Sequence, residues 1–173
     1  MSDLFDQVTA DQDPFRMLAS KLPGFSGYIE RENRRAADKI LRESLADKFE
    51  AIRKQLTYVQ KDLASAKELS YLDDLEGAAS KLQTFIDKVR TAAYGNSSFF
   101  DAIKINADEL ARLYEYDLTL VSNAEAIERG VSHIVASIGT DGMEAAVRNV
   151  VTLSRELVAA FDQRSEVITA QAE

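Results

Sequence analysis

The sequence predicts an all-α fold, an elongated antiparallel four-helix bundle with a short N-terminal helix and an ordered irregular connection between its second and third long helices. Three observations predict it. The first is an apolar 4-3 spacing that recurs in three segments: Leu45, Phe49, Ile52, Leu56, Val59, Leu63, Ala66; Leu72, Leu75, Ala79, Leu82, Ile86, Val89, Ala93; and Leu110, Leu113, Asp117, Leu120, Ala124, Ile127, Val131, Ile134, Ile138. Such spacing turns one stripe of a helix toward a neighbour and leaves the rest wet. The second is the scarcity of breakers, two prolines and seven glycines in 173 residues. The third is a set of start and stop signals that cut the periodic stretches into separate helices.

Residues 1–13 are acidic and weakly periodic, and read as a flexible N-terminal segment. Residues 14–170 read as a single helical-bundle domain and 171–173 as a C-terminal tail. Pro14 suits the first turn of a short helix through Phe15, Met17, Leu18 and Leu22, with Asp13 as its cap. Pro23, Gly24 and Gly27 then break the chain. The first long helix is expected over 29–67, with a stutter at Leu41, Leu45, Phe49. Neither Gly nor Pro ends it; the heptad phase fails after Ala66, and Ser70 with Asp73 resembles a capping box, which predicts a tight turn at 68–70.

The second long helix is expected to stop at Tyr94, Gly95 and Asn96. Asn106 with Glu109 caps a third, ending at Gly139, and Asp141 with Glu144 caps a fourth, running to Thr169. At about 1.5 Å per residue the first helix would be roughly 58 Å long and the second about 35 Å. The connection 94–106 is then expected to fill the space beyond the shorter helix. Its Phe99, Phe100, Ile103 and Ile105 would pack on Ala36, Ala37, Ile40 and Leu41. This gathers Phe25, Tyr28, Tyr94, Phe99, Phe100, Tyr114, Tyr116 and Phe161 toward one end, an aromatic cluster that is a candidate site.

Composition narrows the class. An apolar fraction of 46% with 29% charged residues is ordinary for a globular chain. No stretch reaches the 18 or so apolar residues of a membrane span. The absence of cysteine excludes disulfides, thiolate metal sites and cysteine nucleophiles. The start is acidic and unlike a secretory signal, and a cytoplasmic location is expected. The net charge of −8 opposes nucleic-acid binding. It is unevenly spread: residues 30–68 carry ten basic and eight acidic groups, and residues 107–138 carry two and six. A basic first helix beside an acidic third suits bundle neighbours.

Two stretches carry a family likeness. Residues 23–28 (Pro-Gly-Phe-Ser-Gly-Tyr) through Arg34, Arg35, Ala36, Ala37, Asp38 and Lys39, with Tyr94-Gly95 and Phe99 to Ile105, resemble a group of uncharacterised bacterial all-helical proteins. The resemblance covers about a third of the chain. It implies a bacterial helical protein and brings no catalytic residue, cofactor or metal.

Enzyme chemistry finds little to stand on. A di-iron bundle needs two Glu-x-x-His motifs, whereas the one histidine, His133, follows Gly130 at that spacing. Haem ligation by His133 and Met143 is disfavoured because the two flank one turn. No P-loop, nucleophile elbow or dinucleotide fingerprint is present. Asp117 is the carboxylate in an apolar stripe, where burial without a partner costs several kcal/mol. Arg42, Lys48 and Arg90 are level with it. It reads either as a buried polar group that fixes register or as an acid that contacts a ligand. Arg31, Arg35, Lys39 and Arg42 form a basic stripe, with Arg34 beside it and Tyr28 before it. The stripe reads either as an anion or acidic-partner site or as charges paired with Glu30, Glu32, Asp38 and the acids Asp108, Glu109 and Glu115.

The function expected from these features is a non-catalytic, cytoplasmic helical scaffold or protein-interaction module without cofactor. Apolar residues off the narrow stripes (Leu118, Val121, Val135, Val151, Leu153 and Val158) suggest either central helices or self-association. The alternatives are a peripheral membrane protein that meets anionic lipid through the basic start of the first helix, and a small-ligand-binding bundle with its pocket at the aromatic end.

Overall fold

Residues 14–27, 34–91 and 107–169 are described by a computed structural model of the chain. The N-terminal segment 1–13, the connection 94–106 and the tail 171–173 lie outside the described residues, as does the expected packing of that connection. Helix α1 spans Pro14–Lys21, with proline at the position where a missing N–H costs nothing and lysine in the last turn. Leu22 N–H still donates to Leu18 at 2.8 Å; Gly24 (φ +83°) then turns the chain, and Phe25 N–H closes the turn on the Leu22 carbonyl at 3.1 Å.

Helix α2 spans Arg34–Ser65, 32 residues and roughly 48 Å. It ends two residues earlier than its periodicity suggests, and by a different device. Lys67 takes a left-handed φ of +64°, its N–H donates to Ala64 at 3.2 Å, and Glu68 N–H donates to Leu63 at 2.9 Å. That pair of bonds is a Schellman stop, built here without glycine. A 3-10 turn, Leu69–Tyr71, runs straight into α3, Leu72–Thr91, so Ser70 lies within the turn and not ahead of it as a cap. Asp73 and Asp74 in the first turn of α3, and Lys88 and Arg90 in its last, match the helix dipole.

Helix α4 spans Ala107–Ser137 and α5 spans Met143–Thr169. Gly139, at φ +76°, ends α4 where the sequence places a stop. The hydroxyl of Thr140 organises the turn into α5: it donates to the Ser137 carbonyl at 2.8 Å and accepts from Gly142 N–H at 3.3 Å. The expected cap residue, Asp141, is an exposed bystander in that turn.

The four long helices form a ring in the order α2, α3, α5, α4, and α1 lies against α4. Each tight turn makes an antiparallel hairpin. Between hairpins, like ends adjoin: the rings of Phe85 (α3) and Phe161 (α5) are 5.5 Å apart, and Lys88 pairs with Asp162 at 2.7 Å. Both turns therefore sit at one end of the bundle, and the starts of α2 and α4 at the other. The core follows the predicted stripes, with Leu45, Phe49, Ile52, Leu56, Leu63, Leu75, Leu82, Ile86, Leu120, Ala124, Ile127 and Ile134 buried. At Gly130 a Cβ would meet Val150 Cγ2 at 2.8 Å, so the hairpin of α4 and α5 packs closer there than alanine permits. Of the surface proposed to receive the 94–106 connection, Ala37 and Leu41 are buried, Ile40 is half-buried and Ala36 is exposed.

The left-handed Lys67 gives a direct test. A side chain there costs about 1 kcal/mol that glycine avoids. Lys67→Gly is expected to raise the urea midpoint, and Lys67→Val to lower it. Equal midpoints for the three chains would contradict the strained stop.

Candidate functional site

At the end where α2 and α4 begin, three rings meet. Phe15 of α1 lies 5.4 Å from Tyr114 of α4, and Phe25 lies 6.3 Å from Phe15 and 6.4 Å from Tyr114, edge-on to the latter at 89°. Tyr114 and Phe25 are buried and Phe15 half-buried. Gly27, at φ +82°, crosses this cluster so closely that a Cβ would fall 2.6 Å from the Phe15 ring and 2.7 Å from the Tyr114 hydroxyl. Offset and edge-on contacts of this kind add roughly 0.5–1.5 kcal/mol per pair to the burial itself.

The expected aromatic end is thus real for Phe25 and Tyr114, with Phe15 as the ring that sequence reasoning left out. Two members lie toward the same end outside these three ring contacts. Tyr116 is half-buried two residues on from Tyr114, a spacing that points it to another face of α4. Phe161 belongs to a separate ladder across three helices, Phe49–Phe85 at 4.6 Å and Phe85–Phe161 at 5.5 Å. Tyr28, Tyr94, Phe99 and Phe100 lie outside the described residues.

The basic stripe divides in the same way. Arg42 donates from Nε to Asp38 at 2.8 Å and from Nη1 to the Val89 carbonyl at 3.3 Å, which belongs to the last turn of α3. It joins α2 to α3. Asp38, 1% exposed, is the buried acid of this pair. Lys39 keeps a loose contact with Glu43 at 3.7 Å, and both side chains are about two-thirds exposed. Arg90 approaches Asp47 at 3.6 Å and Glu50 at 3.9 Å. These side chains line an open groove of about 490 Å³ between α2 and α3, formed by Lys39, Arg42, Glu43, Asp47, Val89 and Arg90. Arg34 and Arg35 belong to the first turn of α2, but their side chains, and all of Arg31, lie outside the described residues.

Asp117 is fully buried between Leu113 and Leu120, as its stripe position requires, and it is not without a partner. His133 is exposed on α4 while Met143 is buried at the start of α5, so the two do not face one cavity. Among the described residues no group of three or more His, Asp or Glu side chains converges as a metal site would require.

Two carboxylates are shifted by their neighbours. The hydrogen bond from Lys21, 2.5 Å away, holds Glu125 below the usual carboxylate range against the opposing effect of burial, and the charges of Lys21, Lys48 and Arg129 assist. Glu50 is lowered by the hydrogen bond from Arg53 at 2.7 Å, again against burial, and by the charges of Arg53, Lys54 and Arg90. Comparison with known protein families, with curated proteins and with solved structures finds no match to this chain.

Both pairs link stability to pH. A carboxylate with a depressed folded pKa contributes stability above its ordinary value, 4.5 here, and loses it as pH falls through the folded value. Lys21→Met should therefore flatten the acid limb of a urea-stability profile taken from pH 7 to about pH 3. An acid limb as steep as in the native chain would count against the Lys21–Glu125 linkage. Independently, Asp38→Ala removes the acceptor of Arg42 and is expected to cost roughly 1–3 kcal/mol. Calorimetry checks it: a melting temperature unchanged from the native chain would show that the pair contributes nothing.

Proposed function

We propose that the chain is a non-catalytic, cytoplasmic helical scaffold that holds a protein partner at the end where α2 begins. The observation that carries this reading is the groove between α2 and α3. Its cations Lys39 and Arg90 stay 68% and 48% exposed and meet acids only at 3.6–3.9 Å, so they can exchange local partners for acids on another protein at little cost. The bundle interior behind them is filled with apolar side chains, which suits a rigid support. Rim charges of this kind steer encounter and orientation more than they add affinity.

A photo-crosslinking residue at position 39, introduced in cells that naturally express the protein, should trap a discrete protein product. Position 132, exposed toward the opposite end of α4, should trap none. Arg90→Glu should reduce the product at 39 several-fold. Crosslinks to lipid in place of protein would favour the membrane reading, and a stoichiometric cofactor in native preparations would overturn the scaffold reading.

A further inference from the structure

Helix α4 carries apolar side chains on two faces. One faces the bundle through Leu113, Leu120, Ala124 and Ile127. The other is set by Tyr114, Leu118, Val121 and Glu125, whose 4-3-4 spacing keeps them in line. Helix α1 covers this second face, fixed by Phe15 against Tyr114 at one end and Lys21 on Glu125 at the other. At eight residues α1 is too short to persist as a helix in water, so its structure depends on being docked. Glycines with positive φ, Gly24 and Gly27, border the turn at its C-terminal end.

We propose that α1 and the turn 22–27 form a releasable strap over a helix-docking groove on α4, and that the groove's other occupant is a basic amphipathic helix of a partner protein. The strap is the template for that occupant. It presents Phe15, Leu18 and Leu22 at helical spacing, the anchor pattern of helix-in-groove recognition. Charge selects the partner's sign. Helix α1 has two basic residues, Arg16 and Lys21, and no acid, and the α4 charge that meets it is the carboxylate of Glu125. Glu125 is the groove's specificity residue: its carboxylate, 29% exposed, waits at the end of the apolar track for one ammonium or guanidinium group. Because Leu18, Leu22 and Phe25 are 0–6% exposed when docked, the closed form predominates and a competing helix must displace it.

The inference rests on the scaffold reading but can fail separately from it. Hydrogen exchange on the unaltered protein should show the amides of 14–27 exchanging about a hundredfold faster than those of α2 and α4, through local release. Protection equal to the core would overturn the strap and leave the crosslinking result at position 39 untouched. A labelled peptide of residues 14–27 then probes the groove. Freed of its own strap by Leu18→Asp or Lys21→Glu, the full chain should bind that peptide about tenfold more tightly than the native chain does, because the competent fraction rises. The peptide carrying Lys21→Glu should lose that affinity. If Leu18→Asp does not fold, the Lys21→Glu chain, altered only at a half-exposed position, decides the matter. Failure of the released chain to bind the peptide, or indifference to the peptide's charge, would overturn the groove.

Discussion

A helix in a four-helix bundle has one stripe to hide, about 100° wide, and α4 has more apolar surface than that. Tyr114, Leu118 and Val121 lie about a quarter to a third of a turn away from the stripe of Leu113, Leu120 and Ala124. Leaving a buried-type tyrosine and two aliphatic side chains wet would forfeit roughly 1.5–3 kcal/mol each. The short N-terminal helix exists to cover them. Its path is set by that requirement: Pro14 starts it, Pro23 and Gly24 end it, and Gly27 lets the backbone cross Tyr114 at a distance no side chain tolerates. The off-stripe residues of α4 and α5 differ in exposure. Val121 is buried, Leu118, Val151, Leu153 and Val158 are half-buried, and Val135 stands exposed.

The rest of the bundle is held in register by groups that tolerate few positions. The ladder Phe49–Phe85–Phe161 links α2, α3 and α5 through two edge-on contacts, and sliding any helix by one turn would unstack it. Arg42 works at the same end. It reaches the Val89 carbonyl of α3 while its Nε is fixed by Asp38, which ties α2 to α3. Asp117 adds a buried carboxylate on α4, where only a matched arrangement of helices is acceptable.

Periodicity made the helices, their core faces and the buried position of Asp117 legible, because a 3.6-residue repeat says directly which side chains share a face. Gly139 was legible as a stop for an equally local reason. Identity of the neighbour was not. Phe161 lies toward the expected end, but the sequence holds nothing that says whether its ring meets Phe85 or Tyr114. Phe15 was visible as an apolar residue of a short helix, but its docking on α4 depends on a turn at 22–27 whose direction no periodicity encodes. The stop at Lys67 was hidden because the left-handed position, normally announced by glycine, is occupied by lysine. Asp38 reads as one more acid on a charged helix start, and no periodicity encodes its burial against Arg42.

The charge distribution connects these points. Its basic and acidic helices are neighbours, as expected, yet the cations do not simply neutralise the nearest acids. Arg42 is committed to a helix end, Lys21 to the covering of α4, and Lys39 and Arg90 are held loosely in a groove. Burial alone does not set the contact, since the exposed Lys88–Asp162 pair closes to 2.7 Å. Where removal from water raises the cost of an unmatched charge, as at Asp38, the pair is short and local structure is built around it; at Lys39 and Arg90, where water remains, the contacts are long and exchangeable. A partner that brings its own charges competes most readily for the second kind. The exposed cations beside α3, and the partly exposed Glu125 once Lys21 leaves with α1, are the points at which this otherwise self-satisfied bundle can trade an internal contact for an external one.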